Sequence, residues 1–182
     1  MDPSHPMWHL RARFCPLCAA ELAQRARQGR ARLCCTSCDF VLYANPASAA
    51  AGLVLDGDGR VLLVRRSIPP HRGQWALPAG YQERDEEPRQ AAEREILEET
   101  GLRVRAGRLL DLLFIAADER KPANVAVFLC APRGGELCAG CDASEVAWFA
   151  PGALPQDLGF GNGHRIRAWL ASLDQGAGDD SA

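Results

Sequence analysis

The spacing of apolar and polar residues divides this chain into short strand-like runs and two helical stretches. Ala49 to Asp56 reads as a buried strand and Val61 to Arg66 as its partner, with Gly57-Asp58-Gly59 between them as a hairpin signal. Ser67 to Gly73 carries two consecutive prolines and reads as a loop. Trp75-Ala76-Leu77-Pro78 is then a short extended piece that delivers the chain to Gly80. A helix is expected from near Glu87, with Pro88 in the first turn, where its missing N–H is harmless. Gly101 should end it, since the residue just past a helix commonly needs positive φ. Leu109 to Ala116 and Asn124 to Cys130 read as strands with a polar turn, Asp118 to Lys121, between them. Glu145 to Phe149 is a further short strand. Ile166, Trp169, Leu170 and Leu173 mark His164 to Leu173 as a closing amphipathic helix.

Residues 1–44 are rich in Arg and Cys, whereas 45–174 carry the alternating strand and helix patterns. The join, Tyr43-Ala44-Asn45-Pro46, contains a turn-forming Asn-Pro. We therefore expect a small first domain over 1–44, an α/β domain over 45–174, and a flexible acidic tail over 175–182.

The densest chemistry lies on the first helix. Glu95, Glu98 and Glu99 stand at i, i+3 and i+4, which puts three carboxylates on one helical face. Such a cluster repels itself and calls for a cation. Hard oxygen donors suit Mg²⁺ or Mn²⁺, which binds through a few carboxylates and substrate phosphates.

The cysteines suggest a second metal. Cys15-Pro-Leu-Cys18 and Cys35-Thr-Ser-Cys38 are two knuckles separated by sixteen residues, a spacing that fits a Cys₄ zinc ribbon. A segment with so few apolar residues needs such a staple, so this zinc would be structural. Cys34 is set too wide of Cys38 for a knuckle and is left out. Cys138 and Cys141 read as ordinary loop cysteines, and Cys130 as core.

The run GYQERDEEPRQAAEREILEETGL resembles the Nudix box, G-x5-E-x7-R-E-U-x-E-E-x-G-U with U apolar, and meets every specified position. The resemblance implies metal ligation by Glu98, Glu99 and Glu95, with a backbone carbonyl of Ala79 or Gly80. It implies that Arg94 holds the carboxylates in place, that Glu86 is its structural partner or an outer ligand, and that Ile96 and Leu102 are core. Family members differ in their general base. Glu95 and Glu98 are candidates within the box, Glu145 matches a Glu before the last strand, and Asp118 and Glu119 sit in a turn that could reach the site. The implied fold is an α/β/α sandwich with a mixed sheet, often a homodimer.

The stretch FCPLC…CTSCDFVLYANP…RRSIPPHRGQWALPAGY is similar to the zinc-ribbon Nudix enzymes related to plant ADP-ribose/FAD pyrophosphatase. That implies hydrolysis of ADP-ribose or FAD to AMP and a phosphorylated partner. The SQPWPFPxS array of the NADH pyrophosphatase branch is not matched, which leaves NADH as an alternative, along with RNA ends.

Composition narrows the partners. The 182 residues are 47% hydrophobic and 24% charged, a globular balance. A net charge of −2 gives no general bias toward nucleic acid, and no apolar run reaches membrane-spanning length. The N-terminus has no apolar core of signal-peptide length, so a cytoplasmic location is expected. Residues 1–38 do hold six Arg against one Asp and one Glu, but no aromatic–basic array accompanies them. A small nucleotide is therefore the expected partner. Trp75, Tyr81, Phe114 and Phe160 are candidates to stack a base, although Trp75 fits packing beneath the box loop better. Arg65, Arg66 and Arg72 could meet phosphates. His71 and His164 read as surface or capping residues.

Overall fold

The computed structural model describes residues 8–116, 121–140 and 142–176. Asp118, Glu119 and Cys141 lie outside the described residues. Two compact units emerge, one within Met1–Ala47 and Ala116–Pro122, the other within Ser48–Ile115 and Ala123–Ala182.

In the first unit a short helix, α1 (Trp8–Arg11), precedes β1 (Leu22–Arg27), β2 (Arg30–Cys35) and β3 (Val41–Leu42), which form an antiparallel sheet in that order. Gln28 and Gly29 join β1 to β2 with φ of 51° and 73°, the pair of positive values that a two-residue hairpin with right-handed strand twist requires. The apolar core is small: Cys15, Leu22 and Cys35, with Ala12, Ala20, Leu33 and Phe40 packed against them.

The second unit follows the order β4 (Ala47–Val54), β5 (Val61–Arg66), β6 (Trp75–Ala76), β7 (Ala79–Tyr81), α2 (Pro88–Thr100), β8 (Leu102–Ile115), β9 (Ala123–Gly135), β10 (Ala143–Phe149) and α3 (Asn162–Gly176). Its strands make two sheets, β7-β4-β9-β8 and β10-β5-β6. Ala47 N–H bonds Pro122 O and Leu55 N–H bonds Cys130 O, so donor and acceptor positions advance together and β4 runs parallel to β9. The ladders β4/β7, β8/β9, β5/β6 and β5/β10 are antiparallel, which makes the architecture mixed.

Alternation along the strands builds two layers of core. Ala50, Val54 and Leu62 face α2 through Ala91, Ala92 and Ile96. Ala51, Leu53, Val61 and Leu63 face the opposite way, onto Ile166 and Trp169 of α3. This is the expected α/β/α sandwich. Ile96 is fully buried, and its burial contributes roughly 1.5–3 kcal/mol to holding α2 on the sheet.

Three expectations need correction. Val61–Arg66 is not the ladder partner of the preceding strand. The turn forms, with Asp56 accepting from the Asp58 and Arg60 amides at 3.0 and 2.9 Å, but pairing ends at the Leu55–Val61 bridge. Both strands are buried at consecutive positions, the pattern of central strands covered on two faces, so each enters its own sheet. The strand expected from Leu109 starts at Leu102, because Leu102, Val104 and Ala106 alternate with exposed Arg103 and Arg105. The closing helix starts at Asn162 and runs to Gly176, two residues into the expected tail. Among the described residues no helix is long and apolar enough to cross a membrane.

Candidate active site

The site is assembled where β7 meets α2. Glu87 caps the helix, its N–H donating to the Gln90 side chain at 2.7 Å, and Pro88 takes the first turn. Gly101 ends it at φ 72°, with its N–H on the Leu97 carbonyl. Between these ends the helical repeat puts Glu95 and Glu99 on the side that faces β7, with Glu98 one turn from Glu95 and exposed.

Arg94 organises the face. Its Nε and Nη2 donate to the two oxygens of Glu86 at 3.0 and 2.6 Å, a bidentate fork. Nη1 donates to Glu95 at 2.7 Å and to Glu98 at 3.3 Å, while Nη2 also reaches the Tyr81 carbonyl at 2.9 Å. One guanidinium therefore ties the loop after β7 to two of the three helix carboxylates. The Arg94 hydrogen bond lowers the Glu86 pKa and keeps that carboxylate charged. Glu95 goes the other way, raised by burial and then by the Glu98 and Glu86 charges.

Glu99 is the most enclosed, at 7% exposure. Burial raises its pKa to about 7, and Glu95 and Asp142 add to the rise, against the Ala79 amide and Arg66. The Ala79 N–H donates to its Oε2 at 3.0 Å. Gly80 lies beside it, and a Cβ at that position would push the Glu95 carboxylate out of its place.

The strand register separates the two backbone candidates. Gly52 N–H bonds Pro78 O and Gln82 N–H bonds Ser48 O, so the antiparallel alternation engages Gly80 with Ala50 and turns Ala79 away from β4. The Ala79 carbonyl thus faces out of the ladder, on the strand edge whose N–H groups reach α2.

Other candidates are dispersed. Glu145 lies on β10 opposite Arg65 of β5 and pairs with it at 3.3 Å, on an exposed surface. Asp142, which spacing did not single out, is the carboxylate of this region that acts on Glu99. Trp75 is buried against Phe149, ring centroids 4.9 Å apart, and offers no face for a base. Phe160 contacts His71 edge-on at 4.4 Å and lies under the Arg66 guanidinium at 5.3 Å. Tyr81, Phe114, Arg72 and His164 are exposed. Gly140 was also missed. Its N–H bonds the Glu99 carbonyl and the Cys138 N–H bonds Thr100 O, both at 2.9 Å, so this loop satisfies the last carbonyls of α2. A Cβ on Gly140 would collide with the Glu98 carbonyl.

In the first unit the thiols of Cys15, Cys18, Cys35 and Cys38 lie within 4.8 Å of one another, a group that could hold a metal ion. Cys18–Cys35, Cys18–Cys38 and Cys15–Cys38 sulfur separations are 3.4, 3.6 and 3.7 Å. A tetrahedron of about 2.3 Å zinc–sulfur bonds has edges of about 3.8 Å. Ser37 and Cys38 amides point at Cys35 Sγ, each at 3.3 Å, and lower its pKa to about 6. Cys34 is buried on the other face of β2 and stands outside the group. Among the described residues the α2 carboxylates are not gathered as tightly as the thiols, since Arg94 spans them.

The profile of the NUDIX domain matches residues 45–170. An ADP-ribose pyrophosphatase of Methanocaldococcus jannaschii is 38% identical over 134 residues, covering 72% of this chain and 77% of that one. A NAD-capped RNA hydrolase, NudC, of Chromobacterium violaceum is 33% identical over 155 residues, covering 79% of this chain and 52% of the relative. The crystal structure of a NUDIX hydrolase from Nitrosomonas europaea superposes with a TM-score of 0.81 at 28% identity, over 91% of this chain and 94% of its own. With its box helix inside the matched segment, this chain belongs to the NUDIX family and is a pyrophosphohydrolase.

Proposed function

We propose that the chain hydrolyses the pyrophosphate bond of a nucleoside diphosphate linked to a second moiety, with ADP-ribose or FAD as substrate and AMP and a phosphorylated partner as products. The observation that carries the chemistry is the α2 face: a carboxylate as enclosed as Glu99, beside Glu95 and Glu98, is stable as an anion only next to a cation. The donor set of Glu95, Glu98, Glu99 and the Ala79 carbonyl is all hard oxygen and fits Mg²⁺ or Mn²⁺. Such an ion, when bound, neutralises charge on phosphoryl oxygens and lowers the pKa of a bound water. Arg94 keeps Glu95 and Glu98 oriented, and its fork on Glu86 fixes the loop that follows Ala79 and Gly80. The four thiolates of the first unit we assign to a structural Zn²⁺.

The substrate reading rests on the ADP-ribose pyrophosphatase relative. Capped RNA belongs in the same test because the NudC relative aligns across a comparable share of the chain. Products from ADP-ribose, FAD, NADH, nucleoside triphosphates and capped RNA, separated by chromatography after incubation with Mg²⁺ or Mn²⁺, are expected to show AMP from ADP-ribose or FAD. Turnover of capped RNA alone would replace the small-dinucleotide reading.

Glu99 also sets a pH signature. Its folded pKa, about 7, lies above the ordinary carboxylate value of 4.5, so the unfolded state loses its proton first and metal-free stability falls as pH rises between those values. Mg²⁺ is therefore expected to raise Tm more at pH 8 than at pH 5. Equal increments at both pH values would remove Glu99 from the metal site.

A further inference from the structure

One face of the β1–β2–β3 sheet carries four arginines at its β1–β2 end. The register sets Arg25 opposite Arg32 and Arg27 opposite Arg30, and residues two apart in a strand share a face, so all four project together. Leu33↔Leu42 and Cys34↔Val41 continue by one pair to Arg32 and Tyr43. The Arg32 guanidinium indeed lies over the Tyr43 ring, 4.6 Å from its centroid. The other face carries Leu22, Leu33 and Cys35 against the cysteine cluster. Along the sequence no aromatic stands beside these arginines, because Tyr43 comes eleven residues after Arg32. Strand pairing closes that gap.

This face is costly for the fold. Like charges directly opposite across an antiparallel pair are destabilising, and here two such pairs sit side by side. Among the described residues none of the four arginines is in an ion pair. Arg32 Nε is buried without a hydrogen-bond partner, so the ring rather than an acid holds that guanidinium. Arg25, Arg27 and Arg30 are exposed, and Tyr43 keeps 49% exposure. Residues 8–47 hold six Arg against Glu21 and Asp39, a net +4 inside a chain of net −2. The charge is segregated rather than spread for solubility.

Arginine supplies all but one of the chain's 21 basic residues, so what distinguishes this face is the rows the arginines form and the ring beside them. Each planar guanidinium can bind phosphate through two donors and stack on rings. Cations in rows beside an aromatic ring are the elements of a single-strand track, where phosphates meet the cations and a base meets the ring. We propose that the outer face of this sheet, Arg25, Arg27, Arg30 and Arg32 with Tyr43, binds single-stranded nucleic acid. The proposal stands apart from the choice of small-molecule substrate.

Fluorescence anisotropy of the full zinc-loaded chain with a labelled single-stranded RNA oligonucleotide tests it across a salt series. Wild type should bind, with a log–log salt slope of about −2 to −3 from three or four phosphate contacts. The triple variant Arg25→Gln, Arg27→Gln, Arg30→Gln should bind at least tenfold more weakly at low salt, and its slope should flatten by about 2. Tyr43→Leu should weaken binding by roughly 5- to 100-fold and leave the slope unchanged. Hydrolysis of ADP-ribose and zinc content should be unchanged in both, which separates lost binding from lost folding. No binding at about 50 mM salt would overturn the proposal. So would full binding by the triple variant. Anionic lipid vesicles that compete as well as unlabelled oligonucleotide, with Tyr43→Leu silent, would reassign the face to a membrane surface.

Discussion

Glu98→Gln is expected to leave the fold intact and to cut turnover by roughly 10²- to 10⁴-fold, the loss of several kcal/mol of charge stabilisation in the transition state. The side chain is 55% exposed and makes one long contact, 3.3 Å to Arg94, so an isosteric amide removes charge with little effect on packing. The same change at Glu99 acts differently. There it relieves a buried carboxylate, so Glu99→Gln should lose activity while raising the Tm of the metal-free protein at pH 8. Steady-state kinetics with thermal unfolding of both variants checks the pair. Near-wild-type turnover in a folded Glu98→Gln protein would refute its role as a ligand.

Replacing Cys15 and Cys18 by Ser should abolish zinc binding and unfold the first unit. Three buried residues, Cys15, Leu22 and Cys35, form its apolar core, and two of them are members of the thiol cluster. Little hydrophobic burial remains without the metal, whereas structural zinc binding typically supplies on the order of 10 kcal/mol. Wild-type protein should hold about one zinc per chain by elemental analysis. In the double variant, limited proteolysis should cut within residues 8–47 and spare α2. Full zinc retention in that variant would end the assignment of the cluster.

The parts of this architecture that could be read from the sequence are those governed by local chemistry. Pro88 and Gly101 bracket α2 because each has a positional rule of its own, and the i, i+3, i+4 spacing placed three carboxylates together before any tertiary contact was known. The two knuckles declare themselves by spacing in the same way. Partners chosen by tertiary structure were not legible. Val61 to Arg66 looked like a hairpin partner because the turn is a genuine turn, yet the strands diverge just beyond it. Glu145 and Asp142 lie three residues apart, and only the folded strand shows the first turned to Arg65 and the second acting on Glu99. Tyr43 joined the arginine rows through register alone.

The loop that binds the end of α2 changes how variants of this enzyme should be interpreted. Gly140 and Cys138 touch none of the candidate catalytic groups by side chain, but their amides hold the carbonyls of Glu99 and Thr100. A substitution at Gly140 must displace the helix end at Glu98, because there is no room for a Cβ. Genetic or directed-evolution screens would therefore recover inactive alleles some forty residues downstream of the box, in a stretch with no chemistry of its own.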